Sequence, residues 1–174
     1  GLELPGAVWD PFMGGGTVML ESMLAGRVGL GADVNPLSPL IAWARTRVLT
    51  GAQISEFVTL GQHAIEVARQ IREDHRVPAE FLETERDWYD PPALAEVWSL
   101  TEAIRALPQD GPRRLLIIAL SSLLVKASKQ ATDSVTVRDN THRWVPRGRV
   151  EQWFKARVHE HARNLGVLAE VAPR

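Results

Sequence analysis

At 174 residues and 19.3 kDa, with 45% apolar and 24% charged side chains, the chain has the composition of one globular domain and excludes a mostly unfolded regulator. Twenty Lys and Arg against twenty-one Asp and Glu leave a formal charge of −1, so the molecule as a whole is no electrostatic sponge for nucleic acid, and any such site must be local. The absence of cysteine removes disulfide frameworks, thiolate zinc sites and thiol nucleophiles together.

The amino end has no basic region followed by an apolar core and a small-residue cleavage site, so no secretory signal is visible. The longest apolar run, Leu115–Leu120, is far short of the roughly 20 residues of a membrane span. With the lack of cysteine, this points to a soluble, cytoplasmic protein. The chain starts at Gly1 without an initiator Met and leads at once into a core strand, which reads as an excised piece of a longer chain.

Ala7-Val8-Trp9-Asp10 is a short apolar strand that stops at an acid and a proline. Gly14-Gly15-Gly16 turns the chain into a helix marked by Val18, Leu20, Met23 and Leu24, which Gly26 closes. Residues 27–33 form a second buried strand ending at Asp33, and Asn35-Pro36 opens a helix from about Leu37 to Leu49. This is a right-handed βαβ unit with a parallel sheet. Beyond Thr50 strand signals almost vanish, and helices are expected at about Gln53–Asp74, Pro91–Leu107, Pro112–Ser128 and Arg149–Leu168. The expected organisation is therefore residues 1–50 as a βαβ unit and 51–174 as a mainly helical segment with a basic carboxyl-terminal part. Two parallel strands cannot form a covered sheet, so further strands must come from other sequence or a partner chain.

The chemistry lies in Asp10-Pro11-Phe12-Met13-Gly14-Gly15-Gly16-Thr17, between a strand and a helix, with Asp33 ending the next strand. A glycine turn lets backbone approach a ligand, and the helix amino end offers free N–H groups to an anion. An acid at the end of the second strand is placed for ribose hydroxyls. The dinucleotide pattern fails, because its third glycine would fall on Met19 and Asp10 would repel a pyrophosphate. Asp10 instead suits a ligand with a cationic centre, such as the ammonium or sulfonium of S-adenosylmethionine.

The run from Val8 to Thr17, continuing through Glu21, Gly26-Arg27 and Gly31-Ala32-Asp33-Val34-Asn35-Pro36, resembles the cofactor motif of the S-adenosylmethionine-dependent DNA amino-methyltransferases, which modify adenine N6 or cytosine N4. The resemblance covers residues 7 to about 45. It implies a partial Rossmann-like methyltransferase sheet, S-adenosyl-L-methionine as cofactor, DNA as partner, and a role in restriction-modification. It also implies that Asp10, Pro11, Phe12, Gly14, Gly16 and Thr17 line the methionine end, while Asp33 holds the ribose and Val34 and Asn35 flank the adenine. A looser likeness reaches Trp88-Tyr89-Asp90-Pro91 and residues 128–133.

The same family carries a catalytic motif, [Asp/Asn/Ser]-Pro-Pro-[Tyr/Phe/Trp], whose aromatic ring stacks on a flipped base. The nearest match here, Asp90-Pro91-Pro92-Ala93, lacks the ring and follows a polar segment. Asp90 is the one catalytic candidate in the chain, yet a helix N-cap followed by proline explains it without chemistry. The expectation is a cofactor-binding part of a DNA methyltransferase whose catalytic motif lies outside these residues, completed by the rest of the enzyme or by a partner subunit. A non-catalytic subunit that binds cofactor or DNA, and an RNA methyltransferase, remain alternatives.

Charge is uneven: residues 1–125 hold 10 basic and 16 acidic side chains, residues 126–174 hold 10 basic and 5 acidic. Arg138, Arg143, Trp144, Arg147 and Arg149 mix phosphate neutralisation with a stacking group and are the nucleic-acid candidates, although a solvated helix face gives the same counts. His159-Glu160-His161 sets its two histidines on different helix faces, so no metal site is expected. Ser121, Ser122 and Ser128 have no paired His and acid, and Glu21 and Lys126 read as ordinary helix polar residues.

Overall fold

The computed structural model describes residues 6–132, 137–138 and 144–173. It is mixed α/β and mostly helical: β1 (Val8–Asp10), α1 (Thr17–Leu24), β2 (Gly29–Gly31), α2 (Ser38–Thr46), α3 (Gly51–Asp74), α4 (Ala79–Glu85), α5 (Pro91–Arg105), α6 (Gly111–Ser121), α7 (Leu124–Ala127) and α8 (Arg149–Val171). The residues group into two compact units, 1–55 with 162–174, and 56–161.

In the first unit β1 and β2 pair in parallel, with Val8 opposite Gly29, Trp9 opposite Leu30 and Asp10 opposite Gly31. The pairing runs on past the strand ends through Ala32 N–H to the Asp10 carbonyl and Met13 N–H to the Ala32 carbonyl, each 3.0 Å. Helix α1 packs on both strands and on α2, burying a small cluster of Met13, Met19 and Ala42. Gly29 allows that approach, since a Cβ there would lie 3.2 Å from the Met19 Cα. The second strand is shorter than the expected 27–33, because only three residues find partners across β1. Trp9 (60% exposed) and Leu30 (50%) remain open to solvent.

The second unit is helical and holds the main core, where Phe57, Leu94, Leu100, Ile104, Leu115, Leu116 and Phe154 are almost fully buried. Helix α5 packs against α6. Gly61 lets α3 approach Val158, whose Cγ1 would stand 2.9 Å from an added Cβ. The helix expected over Pro112–Ser128 is broken: α6 ends at Ser121 and a short α7 follows at Leu124. Ser121 and Ser122 hydroxyls donate back to the carbonyls of Ile118 and Ala119, competition of the kind that ends helices. The burial expected of that stretch holds for Leu115, Leu116, Ile118, Leu120 and Leu123. Helix α4 was not anticipated; it starts after Pro78 and has no buried residue. Among the described residues no helix is long and apolar enough to cross a membrane.

Candidate cofactor site and basic surface

The glycine turn is left-handed at Gly14 (φ 46°) and Gly16 (φ 74°), a conformation costly for residues bearing a Cβ. Gly16 has a second reason to be glycine: an added Cβ would stand 2.6 Å from both Cα and Cβ of Ala42 on α2. The close approach it permits is thus to the neighbouring helix. Arg45, which the sequence reading did not single out, braces the turn by donating to the Gly15 carbonyl at 2.7 Å and to Thr17 Oγ1 at 3.2 Å.

Asp10 and Asp33 lie at the carboxyl ends of the adjacent strands. Asp10 Oδ1 accepts from the Phe12 amide at 3.0 Å. Asp33 reaches back to the turn: Oδ2 accepts from the Gly14 amide and Oδ1 from the Asn35 amide, both at 2.8 Å. The Asn35 amide first, and the Gly14 amide next, hold the Asp33 carboxyl below the usual carboxylate range. The Ser38 hydroxyl and the Val34 amide lower it further, so the loop after β2 gathers several donors on this one carboxylate. The Asn35 side chain accepts from the Leu37 amide at 3.0 Å. Phe12 (84% exposed) and Val34 (99%) present apolar surface beside these acids. Hydrogen bonds join three of the expected cofactor residues, Gly14, Asp33 and Asn35, and Asp33 is the link between the turn and the second strand segment.

In the second unit Asp90 occupies the N-cap position of α5, but its side chain does not cap that helix. Instead its buried carboxylate accepts from the Val145 amide at 2.8 Å and faces Lys129 Nζ at 3.6 Å. This corrects the N-cap reading: the acid anchors a distant loop. Beside it, Tyr89 is buried, and burial with the nearby Glu85 charge pushes its hydroxyl up to about 12.

Two further acids escaped the sequence reading. Glu96 is buried on α5 and accepts from the amides of Gly148, Val150 (3.0 Å) and Glu151 (3.2 Å), capping α8. Glu151 is also buried and pairs with Arg72, and with Arg69 at 2.8 Å, while Arg72 donates to Ser99. The hydrogen bond to Glu151 raises the Arg69 pKa. The only sign of these roles in the sequence is a glutamate on the apolar face of a helix. Asx and helix-cap patterns look for partners within a few residues, and these lie 52 to 82 residues away.

Of the basic candidates, Arg138 pairs with Asp87 at 3.4 Å and lies over the Trp88 ring at 5.5 Å. Trp144 is 61% exposed, Arg147 and Arg149 are exposed, and Arg143 lies outside the described residues. Lys126 stacks over Trp153 at 4.5 Å. Among the described residues no cluster of His, Asp or Glu could hold a metal ion.

The Type II methyltransferase M.MvaI of Kocuria varians is 33% identical to this chain over 58 residues, which is 33% of the chain and 13% of that protein. No protein-family model matches the chain, and no solved structure matches it. The similarity supports a distant relationship to a methyltransferase.

Proposed function

We propose that the chain is the S-adenosylmethionine-binding part of a methyltransferase acting on an exocyclic amino group of DNA, adenine N6 or cytosine N4. In this reading the two strands belong to a larger Rossmann-like sheet. The observation that carries it is the pair of acids at the same end of two adjacent parallel strands, Asp10 closing β1 and Asp33 two residues beyond β2, with Asp33 tied to the glycine turn through the Gly14 amide. The exposed Trp9 and Leu30 support the larger sheet, since parallel strands are normally covered on both faces.

The residues present fit the cofactor. The Asp33 carboxylate suits ribose hydroxyls that exchange with its local donors, exposed Val34 and Phe12 suit flat or apolar portions, and the Asp10 charge suits a cationic centre. When bound, the cofactor supplies an activated methyl group. The chain's own part is to bind and orient it. Calorimetric titration with S-adenosylmethionine tests the site: Asp33→Ala and Asp10→Ala weaken binding, and equal affinity in all three proteins overturns the assignment.

This reading puts the catalytic motif outside the chain, and the burial of the Asp90 carboxylate against Val145 and Lys129 supports it. Tritium transfer from labelled cofactor to DNA stays at background for the chain alone, and transfer abolished by Asp90→Ala would reverse that conclusion. The same engagement favours a second reading, a subunit that binds the cofactor without chemistry. A strand ending in Pro-Pro-aromatic in flanking sequence separates the first reading from the second.

A further inference from the structure

Within the second unit, a cleft of about 550 Å³ opens between the end of α3, α4, the start of α5 and the turn before α8. Four arginines line it: Arg72, Arg76, Arg86 and Arg147. Arg72 is neutralised by Glu151 and fixed by Ser99, so it forms a wall. Arg76, Arg86 and Arg147 are exposed and make no ion pair with any described residue.

Among the described residues the one carboxylate lining the cleft, Glu96, already accepts from three backbone amides. Acids adjacent in sequence, Glu73, Asp74, Glu85 and Asp87, do not line it, although the Glu85 charge acts on the lining Tyr89, and Asp87 pairs with Arg138. Three cations from three separate segments thus face one concavity with no ion-pair partner among the described residues. Its floor is apolar, with Val77, Leu82, Pro92 and Trp98.

We propose that this cleft binds a single nucleic-acid strand, its successive phosphates at Arg76, Arg86 and Arg147 and one of its bases over the apolar floor. A cavity of this volume falls in the size range of small-molecule sites, so it admits a nucleotide unit rather than a duplex. Arginine matches phosphate oxygens with paired donors, and an apolar floor accepts any base without reading its sequence. A phosphate-bearing nucleotide can be free or part of a strand. The spread of three cations over separate segments favours the strand, which presents successive phosphates. The proposal deepens the nucleic-acid part of the proposed function and is independent of the cofactor site.

Fluorescence anisotropy of the full chain with a labelled twelve-residue oligothymidylate, over several salt concentrations, tests it. Each phosphate contact to a single strand contributes roughly 0.7 to the slope of log affinity against log salt, so Arg76→Gln with Arg86→Gln and Arg147→Gln together lower the slope by about 2. The triple Arg→Lys variant restores most of it. Deoxyadenosine monophosphate competes only at far higher concentration; competition as strong as the oligonucleotide's assigns the cleft to free nucleotide and overturns the strand. An unchanged slope in the triple Gln variant, absence of binding by the parent chain, or equal displacement by oligoglutamate overturns the proposal. All three arginines are exposed, and circular dichroism of each variant reports that it folds. Calorimetry of the same variants with S-adenosylmethionine keeps the two sites apart, since cofactor affinity stays unchanged if only the strand site is lost.

Discussion

The backbone amide of Gly14 donates to the carboxylate of Asp33 at 2.8 Å, joining two residues that lie 19 apart in the chain. The turn that opens α1 is therefore held by the acid that ends the second strand segment. A substitution of Asp33 disturbs both the ligand acceptor and the turn. Asp33→Asn should weaken S-adenosylmethionine by roughly tenfold or more, because a charged acceptor is about twice as effective as a neutral one. It should also flatten the acid limb of stability. The lowered Asp33 pKa contributes stability above the unfolded value of 3.8, lost as pH falls through the folded one. Acid titration followed by circular dichroism reads this, and an unchanged acid limb in Asp33→Asn would show that the Gly14 bond contributes nothing.

Gly16 and Gly26 separate strain from crowding. Both have positive φ, but an added Cβ meets Ala42 at 2.6 Å at Gly16 and nothing within 4 Å at Gly26. Gly16→Ala should cost about 2–4 kcal/mol, combining left-handed strain with overpacking. Gly26→Ala should cost about 1 kcal/mol from strain alone. Urea unfolding of the two variants distinguishes them, and equal costs would mean α2 yields freely.

Glu96→Ala leaves three amides at the start of α8 without their acceptor. A loss of about 3 kcal/mol or more is expected, in line with breaking a buried charged network. Glu96→Gln should lose less, because its amide oxygen can still accept.

Glu151 offers a comparison of breaking a pair with replacing it. Glu151→Ala strands the largely buried Arg72 guanidinium and should cost about 3–5 kcal/mol. Combining Glu151→Leu with Arg72→Met removes both charges and should recover a substantial part of that loss. A double variant as unstable as the single one would contradict this.

His161 gives the chain a pH dependence nearer neutrality. Burial first, and the Arg157 charge next, lower its pKa below 6.5, against an opposing pull from Glu160. The unfolded chain therefore binds more protons between the two values, and stability falls as pH drops from about 6.5 through the folded pKa. His161→Gln should flatten this segment of the urea midpoint profile, and a profile that keeps its slope would assign the dependence to another group.

The βαβ unit was legible because its signals are local: a strand ending in Asp-Pro, three glycines, and apolar spacing at Val18, Leu20, Met23 and Leu24. Strand lengths were less so, because pairing partners across β1 decide where β2 ends. The break after Ser121 was missed because the apolar run Leu115–Leu120 resumes at Leu123–Val125 beyond it. Helix α4 has only Phe81 and Leu82 as large apolar residues, so no periodicity marks it. Asp90 was recognised as an N-cap position, while its real partner, the Val145 amide, lies 55 residues away. Long-range hydrogen bonds of this kind leave no local pattern.

Two carboxylates from the α5 region hold the segment around Arg147 at both ends: Asp90 takes the Val145 amide, and Glu96 takes those of Gly148, Val150 and Glu151. Freezing a backbone residue costs roughly 1–2 kcal/mol of conformational entropy. Here that loss falls on folding, ahead of any encounter. An anion meeting Arg147 then immobilises a side chain and little of the main chain, so dissociation rather than loop closure should govern how long it stays.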